Sequence, residues 1–212
     1  MNELVKVLNK EVELKLIEIG FKKQSQGIHI YSIDKENFGW IGMNKSTKYK
    51  EISLFPIVGI GSKPVQDFFY KITGEKPKKT LISITGMPLT EISEHRYKPD
   101  WISKLEDVAN EIMKMTSFLI SDGIPFIKKN ANLDNIIDLM VNKNFGFTHQ
   151  NVYYTPICYH LAGQDELAIE ALNKEFLSIQ HENYAAANDF RDFYTNFLKY
   201  LEDGSFPPIT QD

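Results

Sequence analysis

Three observations predict an α+β protein. Apolar residues recur at three- and four-residue spacing in the first twenty positions, short β-branched and aromatic runs fill 28–60, and helical spacing resumes from 100 onward. The reading is an N-terminal helix with a three- to four-stranded antiparallel sheet over 1–99, an acidic α-helical bundle over 100–203, and a tail over 204–212.

The first helix is expected over Glu3 to Ile19, with Leu4, Leu8, Val12, Leu16 and Ile19 on one face and Gly20 as its stop. Three strands follow, Ile28 to Ile33, Phe38 to Met43 and Glu51 to Ile60, parted by polar or glycine-containing turns. Ser62 can cap a second helix with Pro64 in its first turn, Val65, Phe68, Phe69 and Ile72 on one face, and Gly74 at its end. Thr80 to Thr85 alternates as a fourth strand. Residues 86–99, with two prolines and little periodicity, read as a loop and as the boundary between the halves. Asp100 is the expected cap of a long helix whose stripe is Ile102, Leu105, Ala109, Ile112, Met113, Thr116 and Ile120, stopped by Gly123 and Pro125. Shorter helices are expected over Leu133 to Val141, near Tyr154 to Leu161, over Asp165 to Gln180 and over Tyr184 to Leu201. The last has Ala187, Phe190, Tyr194, Phe197 and Leu201 as its apolar face.

Composition narrows the function. The 212 residues carry a net charge of −4 at pH 7, and 42% are apolar. Charge is divided unevenly: residues 1–100 hold 16 Lys+Arg against 12 Asp+Glu, and residues 101–212 hold 8 against 16. A concentration of one sign steers partners of the other, so the C-terminal half suits a basic protein and repels nucleic acid. Only two arginines, Arg96 and Arg191, are available for bidentate phosphate or base contacts. A single cysteine, Cys158, excludes an internal disulfide and suits a reducing compartment. No apolar run is long enough to span a bilayer and no secretory pattern opens the chain, so a cytoplasmic protein without membrane contact is expected.

Motifs for covalent chemistry are incomplete. Val58 to Pro64, VGIGSKP, lacks the third glycine of a dinucleotide loop and the Gly-Lys-Ser/Thr of a Walker loop, and reads as a strand-to-helix turn. His181-Glu182 lacks the second histidine of a zinc-protease helix, since position 185 is Ala185; His29, His149 and His160 are scattered. Cys158 and His160, two apart on a helix, point in different directions. Lys71, Lys76, Lys78 and Lys79 follow Phe68, Phe69 and Tyr70, but those aromatics have the spacing of a buried face. The densest mixed cluster is Glu91, Glu94, His95, Arg96, Tyr97 and Asp100, an acid/base and cation set that could serve a small ligand or an enzyme, with Tyr97 and Trp101 as walls. No metal and no cofactor are expected. The remaining candidate surface is formed by charged groups on the last helices: Glu166, Glu170 and Lys174 lie four apart on one face, and Asp189, Asp192, Lys199, Glu202 and Asp203 line the polar side of the terminal helix.

Gly20-Phe21-Lys22-Lys23, preceded by an amphipathic helix and followed by GIHIY and FGWIGM, resembles a group of small bacterial domains that open with a helix, a Gly-Phe-Lys turn and an antiparallel meander. The resemblance covers about the first 60 residues. Some similar proteins belong to toxin-neutralising immunity systems, which implies a binding role without catalytic residues. The expectation is therefore a non-enzymatic protein-binding module that meets a basic partner, such as a toxin, through Glu166, Glu170, Asp189, Asp192, Glu202 and Asp203. The alternatives are a ligand site or enzyme built on the 91–101 loop, and a structural part of a larger assembly.

Overall fold

The computed structural model describes residues 2–142 and 148–209, with the side chains of 2, 148 and 149 left aside. The architecture is α+β. Leu4, Leu8, Val12 and Leu16 are buried along one face of α1 (Asn2–Glu18), as a turn of 3.6 residues requires. Gly20, at φ 97°, closes that helix in a left-handed conformation, and the Phe21 N–H returns to the Leu16 carbonyl at 2.9 Å.

Strands β1 (Lys22–Ser25), β2 (Ile28–Ser32), β3 (Asn37–Lys48), β4 (Glu51–Ser62) and β5 (Thr85–Pro88) form one antiparallel sheet in chain order. β1 carries no apolar residue, so hydrophobic pattern does not reveal it; its exposed lysines suit a sheet edge, where bare backbone would recruit another strand. The strand expected at 80–85 lies at 85–88 instead. The Leu81 backbone is held by the Gln24 side chain, N–H to Oε1 at 2.8 Å and Nε2 to the carbonyl at 2.9 Å, and the Ile84 N–H reaches the Ile60 carbonyl at 2.8 Å. Pairing then runs from Ile60 opposite Thr85 to Ile57 opposite Pro88.

The glycines of VGIGSKP answer to packing. A Cβ on Gly59 would stand 2.0 Å from the Ser83 hydroxyl, and one on Gly61 would stand 2.1 Å from the Phe38 ring. Both are therefore sites of close approach within a strand, and neither forms a phosphate loop.

The expected break at 99/100 does not mark the division of the chain. Its two compact units are Met1–Gly61 with Leu81–Ala131, and Ser62–Thr80 with Asn132–Asp212. The physical reason is the partner each apolar face finds. In the first unit Val108, Ile112 and Met115 of α4 (Leu105–Phe118) join the α1 stripe and Ile41, Ile52, Leu54 and Val58 of the sheet in one core. In the second, α2 (Lys63–Thr73) places Phe68 5.5 Å from Phe197 and Phe69 5.6 Å from Tyr154. Ser62 precedes α2 in an extended conformation without a side-chain cap, and Gly74 ends the helix at φ 69°.

The long helix differs from expectation at both ends. Ile102 is not helical: its N–H and carbonyl exchange bonds of 2.8 and 3.0 Å with Ile52, and α4 starts three residues later. Gly123 and Pro125 do not stop the chain, which passes through a π turn (Leu119–Gly123) into α5 (Ile124–Asn130), with the proline in the first turn where its missing N–H costs nothing. Met113 and Ile120 from the expected stripe are 62% and 54% exposed. Residues 89–92, expected as loop, form the short helix α3 (Leu89–Ile92).

The second unit contains α6 (Leu133–Val141), α7 (Thr148–Leu161), α8 (Asp165–Ser178) and α9 (Ala185–Asp203) besides α2. The buried face of α9 is Ala187, Phe190, Phe193 and Phe197. Tyr194 leaves that face: its ring stacks on Phe176 at 4.4 Å and its hydroxyl donates to Asn173 at 2.8 Å. Within the described part of the tail, 204–209, Phe206 stacks on Tyr200 at 4.6 Å.

Candidate functional site

Each sequence-derived candidate falls in one unit, and the two sets differ in what holds them. In the first unit, α3 ends in two successive left-handed residues, Glu94 at φ 52° and His95 at φ 63°. The buried Ser93 ties the turn, its hydroxyl donating to the Thr90 carbonyl at 3.1 Å and accepting the Tyr97 N–H at 3.0 Å. Glu91, Glu94 and His95 point to solvent. Arg96 is paired with Asp122, donates through Nε to the Ser93 carbonyl at 3.0 Å and lies 5.9 Å from the Phe118 ring centre.

Tyr97 is fully buried, its hydroxyl 3.1 Å from Glu111 Oε1 and 3.3 Å from the Leu54 carbonyl. Glu111, also buried, takes Lys114 Nζ at 2.8 Å on its other oxygen, and Asp100 caps the same ammonium. Burial pushes the Glu111 pKa upward against the pull of Lys114 and Tyr97. Burial, then the Glu111 charge, pushes the Tyr97 hydroxyl far above its ordinary range. For Lys114, burial opposes the charge, but Asp100 and Glu111 outweigh it and hold the pKa high. The cluster read as a ligand site is thus parted: Arg96, Tyr97 and Asp100 tie the framework, while Glu91, Glu94 and His95 face outward. Among the described residues no group of three His, Cys, Asp or Glu could hold a metal.

In the second unit, Glu166 and Glu170 on α8, and Asp189, Asp192, Glu202 and Asp203 on α9, are all exposed. None of the six enters an ion pair within the described structure. Asp203 accepts the Ser205 N–H at 2.8 Å, and its pKa is lowered chiefly by hydrogen bonds from Ser205. Residues 132–212 hold 12 acidic against 4 basic groups. The lysine run Lys71 to Lys79 belongs to this unit as well, so its charge is segregated by segment rather than uniform. Phe69 lies within 5.7 Å of Tyr153 and Tyr154, and Phe68 and Tyr70 are buried, so these aromatics do not form a stacking platform.

Cys158 is fully buried and its thiol pKa is driven up by burial alone. His160 is turned to Asp165, with Nδ1 2.6 Å from Oδ1, and His29 is buried in β2 with neither ring nitrogen hydrogen-bonded among the described residues. The side chain of His149 lies outside the described residues.

One feature escaped sequence reading. A groove of about 390 Å³ runs along α6, α7 and α8, with Val141, Val152, Pro156, Leu167 and Ala171 as apolar lining and Glu170, Lys174 and Glu175 as charged lining. One signal for it was present in the sequence, a proline inside a helix; the exposure of Val141 and Leu167, 47% and 42%, comes from the fold.

Fold and surface together define an α+β protein of two compact units, one bearing an internally paired polar cluster and the other bearing six exposed carboxylates that form no ion pair among the described residues, with a groove lined in part by Glu170. No helix among the described residues is long and apolar enough to cross a membrane. No protein-family model matches the chain, and no curated protein or solved structure matches it significantly.

Proposed function

We propose that this protein is a bacterial, cytoplasmic, non-enzymatic binding module that recognises a basic protein partner through Glu166, Glu170, Asp189, Asp192, Glu202 and Asp203. Neutralisation of a basic toxin, as immunity proteins do, is the sharpest form of this reading. One observation carries it: six exposed carboxylates on two helices form no ion pair within the described structure, the nearest cation influence being that of Lys199 on Asp203. Charges that stabilise a fold are paired or partly buried, as Glu111 is, whereas unpaired like charges on one unit repel each other and give a field that accelerates encounter with the opposite sign. The 91–101 loop has less support as a ligand site, because half of its candidate residues are engaged within the first unit.

The test is kinetic. The partner captured from the native host is purified and its association followed by stopped flow from about 0.02 to about 0.5 M salt. The rate is expected to fall at least about tenfold, because screening shortens the reach of exposed charges to a few ångströms. A salt-independent rate contradicts the proposal.

A further inference from the structure

We propose that the groove along α6, α7 and α8 seats a lysine- or arginine-bearing segment of the protein partner, with the aliphatic stem on the apolar lining and the cationic head at Glu170 and Glu175. The inference rests on the reading of the acidic helices as a binding face and names the chemistry that face would grip.

Four features point to this occupant. Val141 and Leu167 leave large apolar side chains nearly half exposed at the groove, where a flexible methylene stem can cover them. The lining holds two carboxylates against one ammonium, Lys174, and Lys174 forms no ion pair with either within the described structure. Pro156 has no N–H, so the Val152 carbonyl one turn earlier receives no helical donor from it, and both residues line the groove. Glu170 lines the groove and is also one of the exposed carboxylates of α8.

A neutral apolar occupant would cover these acceptors without satisfying them, and an anionic one would gain Lys174 but meet two like charges. A long side chain ending in a cation answers both conditions. Lys174 opposes that cation, and the two carboxylates outweigh it by one charge.

The full-length protein, labelled with ¹⁵N, is titrated with n-hexylammonium, n-hexanol and n-hexanoate. Shifts are expected at residues flanking the groove, with the ammonium about threefold tighter than the alcohol and the carboxylate weakest. Ala171→Trp, which fills the groove, is expected to abolish the response. Glu170→Gln, an exposed and structurally mild change, is expected to remove the preference for the ammonium while leaving hexanol binding in place. Equal or tighter binding of hexanol, shifts located elsewhere, or no effect of either variant overturns the assignment.

Failure here is separable from failure of the wider reading. If hexylammonium does not bind but Asp189→Lys with Asp192→Lys still slows association with the captured partner, only the groove assignment falls. If hexylammonium binds as described and that double reversal changes nothing, the acidic face falls.

Discussion

Glu111 in the first unit and Glu170 in the second are both helical glutamates, and they have opposite surroundings. Glu111 is buried beneath Tyr97 and Lys114, with both carboxylate oxygens facing a hydroxyl or an ammonium. Glu170 stands exposed at the edge of a groove with no ion-pair partner in the described structure. The difference teaches where charge serves the fold and where it is free for another molecule. A buried carboxylate must be satisfied locally, because leaving it unpaired costs several kcal/mol. An exposed one is already satisfied by water and adds little to stability, which leaves it free for another molecule.

The sharpest way to break this comparison is to remove the buried member. Glu111→Ala leaves the Tyr97 hydroxyl with the Leu54 carbonyl alone and Lys114 with Asp100 alone, and is expected to cost about 3 kcal/mol in urea unfolding. A loss below about 0.5 kcal/mol would mean that the cluster is not a tie. Tyr97→Phe removes one donor and keeps the ring, so about 1 kcal/mol is expected in the same measurement. Arg96→Ala, whose guanidinium is 59% exposed, should cost no more than about 1 kcal/mol.

Asp189→Lys with Asp192→Lys is the smallest of these effects. Stability should stay within about 0.5 kcal/mol of the parent, because both side chains are solvated.

A pH titration sharpens the same contrast. The folded state raises the Glu111 pKa above its unfolded value, so the folded protein holds the proton more tightly between the two. In that window the native state binds more protons than the unfolded chain, and stability attributable to Glu111 increases as the pH falls toward the ordinary glutamate value of about 4.3. His29 acts in the opposite direction: burial lowers its pKa, so its contribution is lost as the pH falls below the unfolded value of 6.5. Urea unfolding of the parent and Glu111→Gln across this range should give a difference curve in which the parent gains on acidification. A flat or inverted curve would contradict the assigned direction.

Much of the framework was legible in the residues. α1 and α6 follow from the spacing of Leu4, Leu8, Val12 and Leu16 and from the compact run Leu133–Val141, and Gly20 and Gly74 mark helix ends by their left-handed geometry. What could not be read depended on partners distant in the chain. Gln24 engages Leu81 across 57 positions and displaces the fifth strand, while Ile52 draws Ile102 out of the helix that Asp100 was expected to cap. The division into units was hidden for the same reason, since an apolar face on α2 does not state which helices will cover it. The acidic residues themselves were visible. Their separation from Glu111 and Asp100, which also carry carboxylates, required burial and hydrogen bonding. The groove depended on Pro156, whose effect on its own helix is local but whose neighbours on α6 and α8 come from the fold.

The most direct test of the account compares two charge reversals in one experiment. Association of the captured partner is measured at low salt for Asp189→Lys with Asp192→Lys, and for Glu91→Lys with Glu94→Lys in the first unit, which changes the net charge by the same amount. The first pair should slow association by about tenfold or more and the second should leave it within about twofold. Equal slowing by both pairs would reduce the effect to overall charge, and no slowing by the first would contradict recognition through the acidic helices.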